Sequence, residues 1–357
     1  MKIRIGLIGT GLMGAAHSLM LKQISTFDGV DLKLVIAADT AAERVGGFAK
    51  MFGYGEHTAD PARVIRHPEV NVIYITTPTR YHRELVEAAA REGKHIFCEK
   101  PLAFNEADAA AMLEAAEKAG VRHQVGLVLR FSPTFNAVRR LLSRDLGFPM
   151  AVIFRDDQVF PIKGIHASPW RGDIEKVGAG TILEHSIHDV DILTWMFGPA
   201  RTLDARVSYL AGKAGIEDRA VVRIEFESGM IATLTSLWHD VLKRPSNRLL
   251  EVFYEKGYIA TDEDFLGPVK HQFGNGDLTT ISRDDVLNKY LEEAGIEAKK
   301  AAALVNSAYG FEDLAFVNAL SDEGRRPEPG LDMAVAAHRI VDAIYKSARE
   351  LTPINLK

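Results

Sequence analysis

Near the start of the chain, Gly9-Thr10-Gly11-Leu12-Met13-Gly14 has the spacing G-x-G-x-x-G. The pattern is short and glycine is common, so its meaning depends on its setting. Here it follows the apolar run Ile3 to Ile8 and opens a helical pattern. In that setting the first glycine makes a tight turn, the second lets backbone approach a pyrophosphate, and the third allows close helix packing. The helix N-terminus offers N–H donors to phosphate. Asp39 ends the next apolar run about 25 residues later, where a carboxylate can accept both hydroxyls of an adenosine ribose. The same charge repels a 2′-phosphate and Thr40 rather than an arginine follows it, so NAD is expected in preference to NADP. Arg44, one helical turn on, is the residue that could still meet a 2′-phosphate.

A second set of residues could move a proton. Lys100 follows a short apolar run at the carboxyl edge of a sheet, where ligands collect in open α/β folds, and its ammonium could hydrogen-bond a reacting oxygen. His188 lies in an otherwise apolar helical pattern, and its near-neutral pKa suits it to accept a hydroxyl proton as hydride leaves the same carbon. Each also has a plain structural reading: Lys100 as a surface lysine paired with Glu99, His188 as a hydrogen-bonded core histidine. Glu184, four residues before His188, would sit one helical turn away and could orient its ring. His185, His188 and Asp189 make a poor metal set, with histidines three apart and no clear third ligand, so no metal is expected. Trp170 could stack on a sugar or simply anchor its own loop, and Arg171 could bind a hydroxyl or carboxylate. His17 and His166 are secondary candidates. Cys98 is the sole cysteine and ends an apolar run, so it is expected to be a packed thiol without a disulfide.

The elements that would position these groups fall into two rhythms. Up to residue 127, short apolar runs alternate with Ala-rich helical patterns, as in repeated βα units of a doubly wound parallel sheet, an α/β Rossmann domain. Residues 128–357 carry longer alternating strand patterns joined by Gly-containing turns, which predict an α+β domain with a large, mainly antiparallel open sheet. Residues 181–198 read as one helix, 262–285 as a long solvated loop, and 307–324 and 331–350 as the last two helices, the final one free to pack back on the first domain.

The chain has 357 residues, 47% hydrophobic and 25% charged, enough for two cores. A net charge of −5 with dispersed Lys and Arg argues against a nucleic-acid partner. No apolar run reaches membrane-spanning length and the chain opens directly on a strand pattern, so a cytoplasmic protein without a membrane partner is expected.

Further motifs stand in order along the chain: Thr76-Thr77-Pro78-Thr79-Arg80-Tyr81-His82, Glu99-Lys100-Pro101, Arg130-Phe131, Gly178-Ala179-Gly180, and Glu184-His185-Ser186-Ile187-His188-Asp189-Val190-Asp191. Together with the glycine turn and the C-terminal helices, they resemble the Gfo/Idh/MocA family of glucose-fructose oxidoreductase and inositol dehydrogenase relatives. The resemblance implies that Thr77, Pro78 and His82 lie beside the nicotinamide, and that Glu99-Lys100-Pro101, whose Lys-Pro peptide is often cis, sits where substrate and nicotinamide meet. It also implies that His188 is the acid/base, that Asp191 matches a further family position, and that Arg130, Trp170, Arg171, Glu184 and His185 border the substrate. Two residues depart from the common pattern: Glu184 stands where most relatives carry Asp, and Ser186 where they carry Gly. The expected activity is NAD-dependent oxidation of a secondary alcohol on a sugar, inositol or related polyol, with Lys100 and His188 as the catalytic pair. Alternatives are a redox-neutral enzyme that uses bound NAD to modify or cleave a glycoside, and a non-catalytic NAD- or sugar-binding regulator. An open sheet face and the family resemblance point to a homodimer or homotetramer.

Overall fold

The computed structural model describes residues 1–163, 167–241, 243 and 246–356. The chain forms two compact units, one of residues 1–128 and 298–335, the other of residues 129–297 and 336–357.

The first unit begins with β1 (Ile3–Ile8), α1 (Leu12–Ile24), β2 (Leu32–Ala38), α2 (Ala42–Phe52), β3 (Glu56–Thr58) and α3 (Pro61–Ile65). It continues with β4 (Val72–Ile75), α4 (His82–Arg91), β5 (His95–Cys98), α5 (Glu106–Lys118) and β6 (His123–Val125). All six strands pair in parallel, in the order β3-β2-β1-β4-β5-β6. The central strands β1, β2 and β4 are largely apolar, as suits strands covered by helices on both faces, and β4 is buried at every position. The order reverses between β1 and β4, so the crevice at their carboxyl ends is the switch point where such sheets bind ligands.

The second unit supplies α6 (Pro133–Leu142), β7 (Pro149–Val159), α7 (Ile174–Val177), α8 (Thr181–Glu184), α9 (Ile187–Phe197), β8 (Ala200–Ser208), β9 (Arg219–Phe226) and β10 (Ile231–His239). Then come β11 (Asn247–Tyr254), β12 (Gly257–Thr261), β13 (Val269–Phe273), β14 (Thr279–Ile281) and α10 (Arg283–Ala294). The chain re-enters the first unit with α11 (Ala298–Leu304) and α12 (Ala308–Ser321), and α12 packs on α1. Helix α13 (Leu331–Glu350) starts in the first unit and ends in the second, where β15 (Ile354–Asn355) closes the sheet.

The nine strands run in the order β14-β13-β12-β11-β7-β10-β9-β8-β15. Only β7 and β10 pair in parallel; the other pairs are antiparallel. Burial alternates strictly along β9 and β10, as expected of a sheet with one covered face.

Two sequence-based expectations change. Residues 262–285 are not one long loop but include β13, β14 and the start of α10. Their Gly, Asp and Thr content suits outer strands exposed to water, and β14 has no buried residue. The single helix expected over 181–198 is two, broken at His185 and Ser186. The break has local causes. Ser186 turns its hydroxyl to Ser236 at 2.6 Å, and its N–H bonds the Thr181 carbonyl instead of continuing the regular ladder. Among the described residues no helix is long and apolar enough to cross a membrane.

Candidate active site

The glycine turn lies at the switch point. Gly9 has φ of +102°, and a Cβ there would meet the Thr76 carbonyl oxygen at 2.7 Å. A Cβ on Gly14 would fall 2.2 Å from the Gly9 oxygen, whereas one on Gly11 meets nothing within 4 Å. The turn is therefore packed beneath and open above, as backbone approach to a pyrophosphate requires. Thr10 and Met13 are half-buried here, and Leu12 is 52% exposed.

Asp39 follows β2 and is tied to the turn. Its Oδ2 accepts the Thr10 N–H at 2.8 Å and the Thr10 hydroxyl at 2.7 Å, and its Oδ1 accepts the Ala41 N–H at 2.9 Å. Partial burial raises its pKa, but these donors and Arg44, 3.7 Å away, outweigh burial and hold the carboxyl below its ordinary value. An ionised Asp39 beside an open glycine turn fits the ribose and pyrophosphate of NAD.

Thr77 presents a buried hydroxyl with no hydrogen-bond partner among the described residues, a polar group suited to a ligand in this crevice. His82 is buried, with Nε2 2.9 Å from the Thr77 carbonyl oxygen and Nδ1 3.0 Å from that of Pro101. It ties the Thr77-Pro78 loop to the Glu99-Lys100-Pro101 turn, and burial pushes its pKa below the usual imidazole value. The Lys100–Pro101 peptide is cis. Glu99 is buried, and its Oε2 accepts the Lys100 N–H at 3.0 Å.

In the second unit, the turn before α8 admits only glycine at position 180, where a Cβ would meet the Glu217 carbonyl oxygen at 1.9 Å. The Glu217 carboxylate accepts the N–H groups of Gly180 at 2.7 Å and Ile182 at 2.9 Å, and the Tyr345 hydroxyl at 2.8 Å. This anchors the start of a helix too short to hold itself.

Three residues expected near the substrate, Glu184, His185 and His188, lie in this segment. His188 is 5% exposed in the first turn of α9. Because the helix is broken, Glu184 does not share a continuous helical face with it; Glu184 Oε2 accepts Arg171 Nε at 3.0 Å. The Arg171 guanidinium lies 5.2 Å from the Trp170 ring centroid, and the half-buried Trp170 packs against a cluster containing Phe160 and Trp238. His185 Nε2 lies 2.7 Å from an Arg248 Nη and 3.1 Å from Asp156 Oδ2. The Arg130 guanidinium, also expected at the substrate, grips Asp191 with two bonds of 2.8 and 2.6 Å and so fixes α9.

Sequence reasoning missed the charges beneath these groups. Arg248 is 4% exposed and bonds Asp189 and Asp264, each at 2.7 Å, with Asp156 at 3.4 Å. Burial and the nearby Asp156 charge outweigh Arg248 and push the Asp189 carboxyl up to about 6. His17, a secondary candidate, is fully buried in the first unit, and His166 lies outside the described residues. Cys98 is a free buried thiol. Among the described residues no three His, Cys, Asp or Glu side chains gather as a metal site.

Comparison with known proteins bears on this arrangement. The Gfo/Idh/MocA oxidoreductase family, described as an NAD-binding Rossmann fold, matches residues 3–127, and the C-terminal domain of that family matches residues 135–260. The chain is 32% identical to a D-apiose dehydrogenase of Paraburkholderia graminis, over 98% of this chain and 89% of that protein. It is 31% identical to a myo-inositol 2-dehydrogenase of Thermotoga maritima, over 73% of this chain and 75% of that one. An oxidoreductase domain protein from Kribbella flavida superposes with a TM-score of 0.86 at 25% identity, covering 100% of this chain and 99% of the other. A levoglucosan dehydrogenase solved with NADH and levoglucosan shares the fold, with a TM-score of 0.85 at 22% identity over 99% of both chains.

Proposed function

Since the chain belongs to the Gfo/Idh/MocA oxidoreductase family, with its NAD-binding Rossmann fold, we propose that it oxidises a secondary alcohol of a sugar, inositol or related polyol. The observation that carries this reading is the open glycine turn tied to an ionised Asp39. Relatives named for D-apiose and myo-inositol give the substrate class.

NAD, when bound, supplies the hydride acceptor. The Lys100 ammonium hydrogen-bonds the reacting oxygen and stabilises the negative charge that develops on it. His188 accepts the hydroxyl proton, so the alcohol loses a hydride and a proton overall. The Glu184–Arg171 pair, with Trp170 and His185, borders the substrate, and Glu184 in place of the family's usual Asp reaches Arg171 with its longer arm. Arg130 serves as a framework residue through Asp191. We place the protein in the cytoplasm as a homodimer or homotetramer joined through the uncovered sheet face.

The test follows absorbance at 340 nm with NAD or NADP and a panel of inositols, aldoses and deoxysugars. Steady NADH formation is expected with one polyol class, and NAD is expected to serve better than NADP. Lys100→Met and His188→Asn should each lower kcat by about 100-fold or more, with NAD affinity changed less than about threefold. Wild-type turnover in both variants would overturn the assignment.

A further inference from the structure

The first unit buries a chain of charged groups that leads to Lys100. His17, on α1, has no exposed surface. Its Nδ1 lies 2.9 and 3.0 Å from the two carboxylate oxygens of Asp313 on α12, and its Nε2 lies 2.9 Å from Glu99 Oε1. A neutral imidazole has one N–H and would turn a lone pair toward one carboxylate, whereas an imidazolium donates to both. Burial opposes the charge, yet Asp313 and Glu99 together raise the His17 pKa well above the ordinary value. Burial likewise raises Glu99, but the His17 hydrogen bond and charge, with Lys100, hold it below the usual range. The second Glu99 oxygen accepts the Lys100 N–H.

Around these three groups burial also raises the Asp313 carboxyl, against the pull of His17. The Tyr74 hydroxyl donates to Asp313 at 3.2 Å, and the rings of Phe97 and Tyr309 lie 4.8 and 5.5 Å from the His17 ring. Glu312, next to Asp313, is fully buried and its carboxyl oxygens have no hydrogen-bond partner among the described residues. Burial pushes Glu312 well up, and it also pushes up the thiol of Cys98.

We infer that His17 is a positioning residue of the reaction: as an imidazolium oriented by Asp313, it fixes the Glu99 carboxylate and through it the backbone at Lys100. The inference rests on the proposed role of Lys100 but adds a device on α1 and α12, away from the reacting atoms. A lysine whose ammonium is displaced by about 1 Å can lose about 100-fold in rate, so a fixed backbone at Lys100 matters more to turnover than to cofactor binding.

The experiment has two readouts on the full-length protein. Long-range imidazole nitrogen–proton NMR spectra, with the His17 signals assigned by their loss in His17→Gln, should show both ring nitrogens protonated at pH 8. In Glu99→Gln the ring should lose its second proton at lower pH. In kinetics, His17→Gln and the shape-conserving Asp313→Asn should lower kcat by about 30- to 100-fold, while NADH affinity, measured by fluorescence titration, changes less than about threefold. Asp313→Glu should recover part of that loss. A neutral His17 at pH 7, or wild-type kcat in a folded His17→Gln or Asp313→Asn while Lys100→Met is impaired, would overturn the inference. Wild-type turnover in Lys100→Met would instead remove the premise, and the role of His17 in the reaction would fall with it.

Discussion

Asp189 shows how a single buried charge sets a pH response. Its carboxyl is raised from 3.8 to about 6 by burial and by Asp156, against the pull of Arg248. Between those values the folded chain keeps a proton that the unfolded chain has released, so this group makes stability fall as pH rises through the window. Asp189→Asn removes that dependence and keeps an oxygen for Arg248. The variant should therefore lose most relative to wild type at pH 4.5 and least at pH 7.5, as read from the difference in Tm; a difference that widens toward pH 7.5 would contradict this account. The residues involved also mark what a sequence conveys. The glycine turn and Asp39 were legible because a tight turn and the end of the next strand impose local spacing. Arg248 and Asp313 were not, because the groups they meet lie 59 and 296 residues away, at Asp189 and His17, and no local pattern records such a pairing.

At the scale of elements, the segment from Gly178 to Phe197 carries most of the difference between expectation and structure. Its apolar periodicity is genuine, since Ile182, Leu183, Ile187, Val190, Ile192 and Leu193 are all buried. Periodicity alone cannot show that Ser186 is pulled toward Ser236 and splits the helix. The four-residue α8 depends on Glu217, whose carboxylate and carbonyl oxygens together hold Gly180, Thr181 and Ile182. Gly180→Ala pushes a methyl carbon against that carbonyl, so it should destabilise the protein by about 1–3 kcal/mol, the usual range for overpacking. Denaturant unfolding measures this, and a midpoint equal to wild type would show that the turn yields without loss. The outer strands of residues 269–281 escaped notice for a different reason: with water on much of their surface they need no apolar alternation.

For the whole molecule, the change of rhythm near residue 128 separates a parallel sheet from a mainly antiparallel one, and this is legible because βα units and hairpins pattern their apolar residues differently. The chain's return to the first unit at residues 298–335 is not, since α12 is buried on most sides and nothing in its local pattern marks α1 as its partner. The nine-stranded sheet raises the remaining question at this scale. Its uncovered face carries Val221 on β9, Ile231 on β10 and Ile153 on β7, each between 41% and 45% exposed. Register places Ile153 beside Thr233, and Val221 beside Thr235, on three adjoining strands. Around them stand Arg155, Arg223, Glu225 and Glu251, charges of both signs that a second copy related by a twofold axis can pair with. A stable interface buries about 800 Å² per partner. Native-mass measurement by light scattering after gel filtration should give at least twice the 39.3 kDa chain mass. Ile153→Lys combined with Val221→Lys puts like charges at the centre of such an interface without touching the buried face, so the mass should fall toward that of one chain while far-UV circular dichroism is kept. An oligomer that survives both substitutions would mean that the copies meet elsewhere, and a wild-type monomer would leave this face in water.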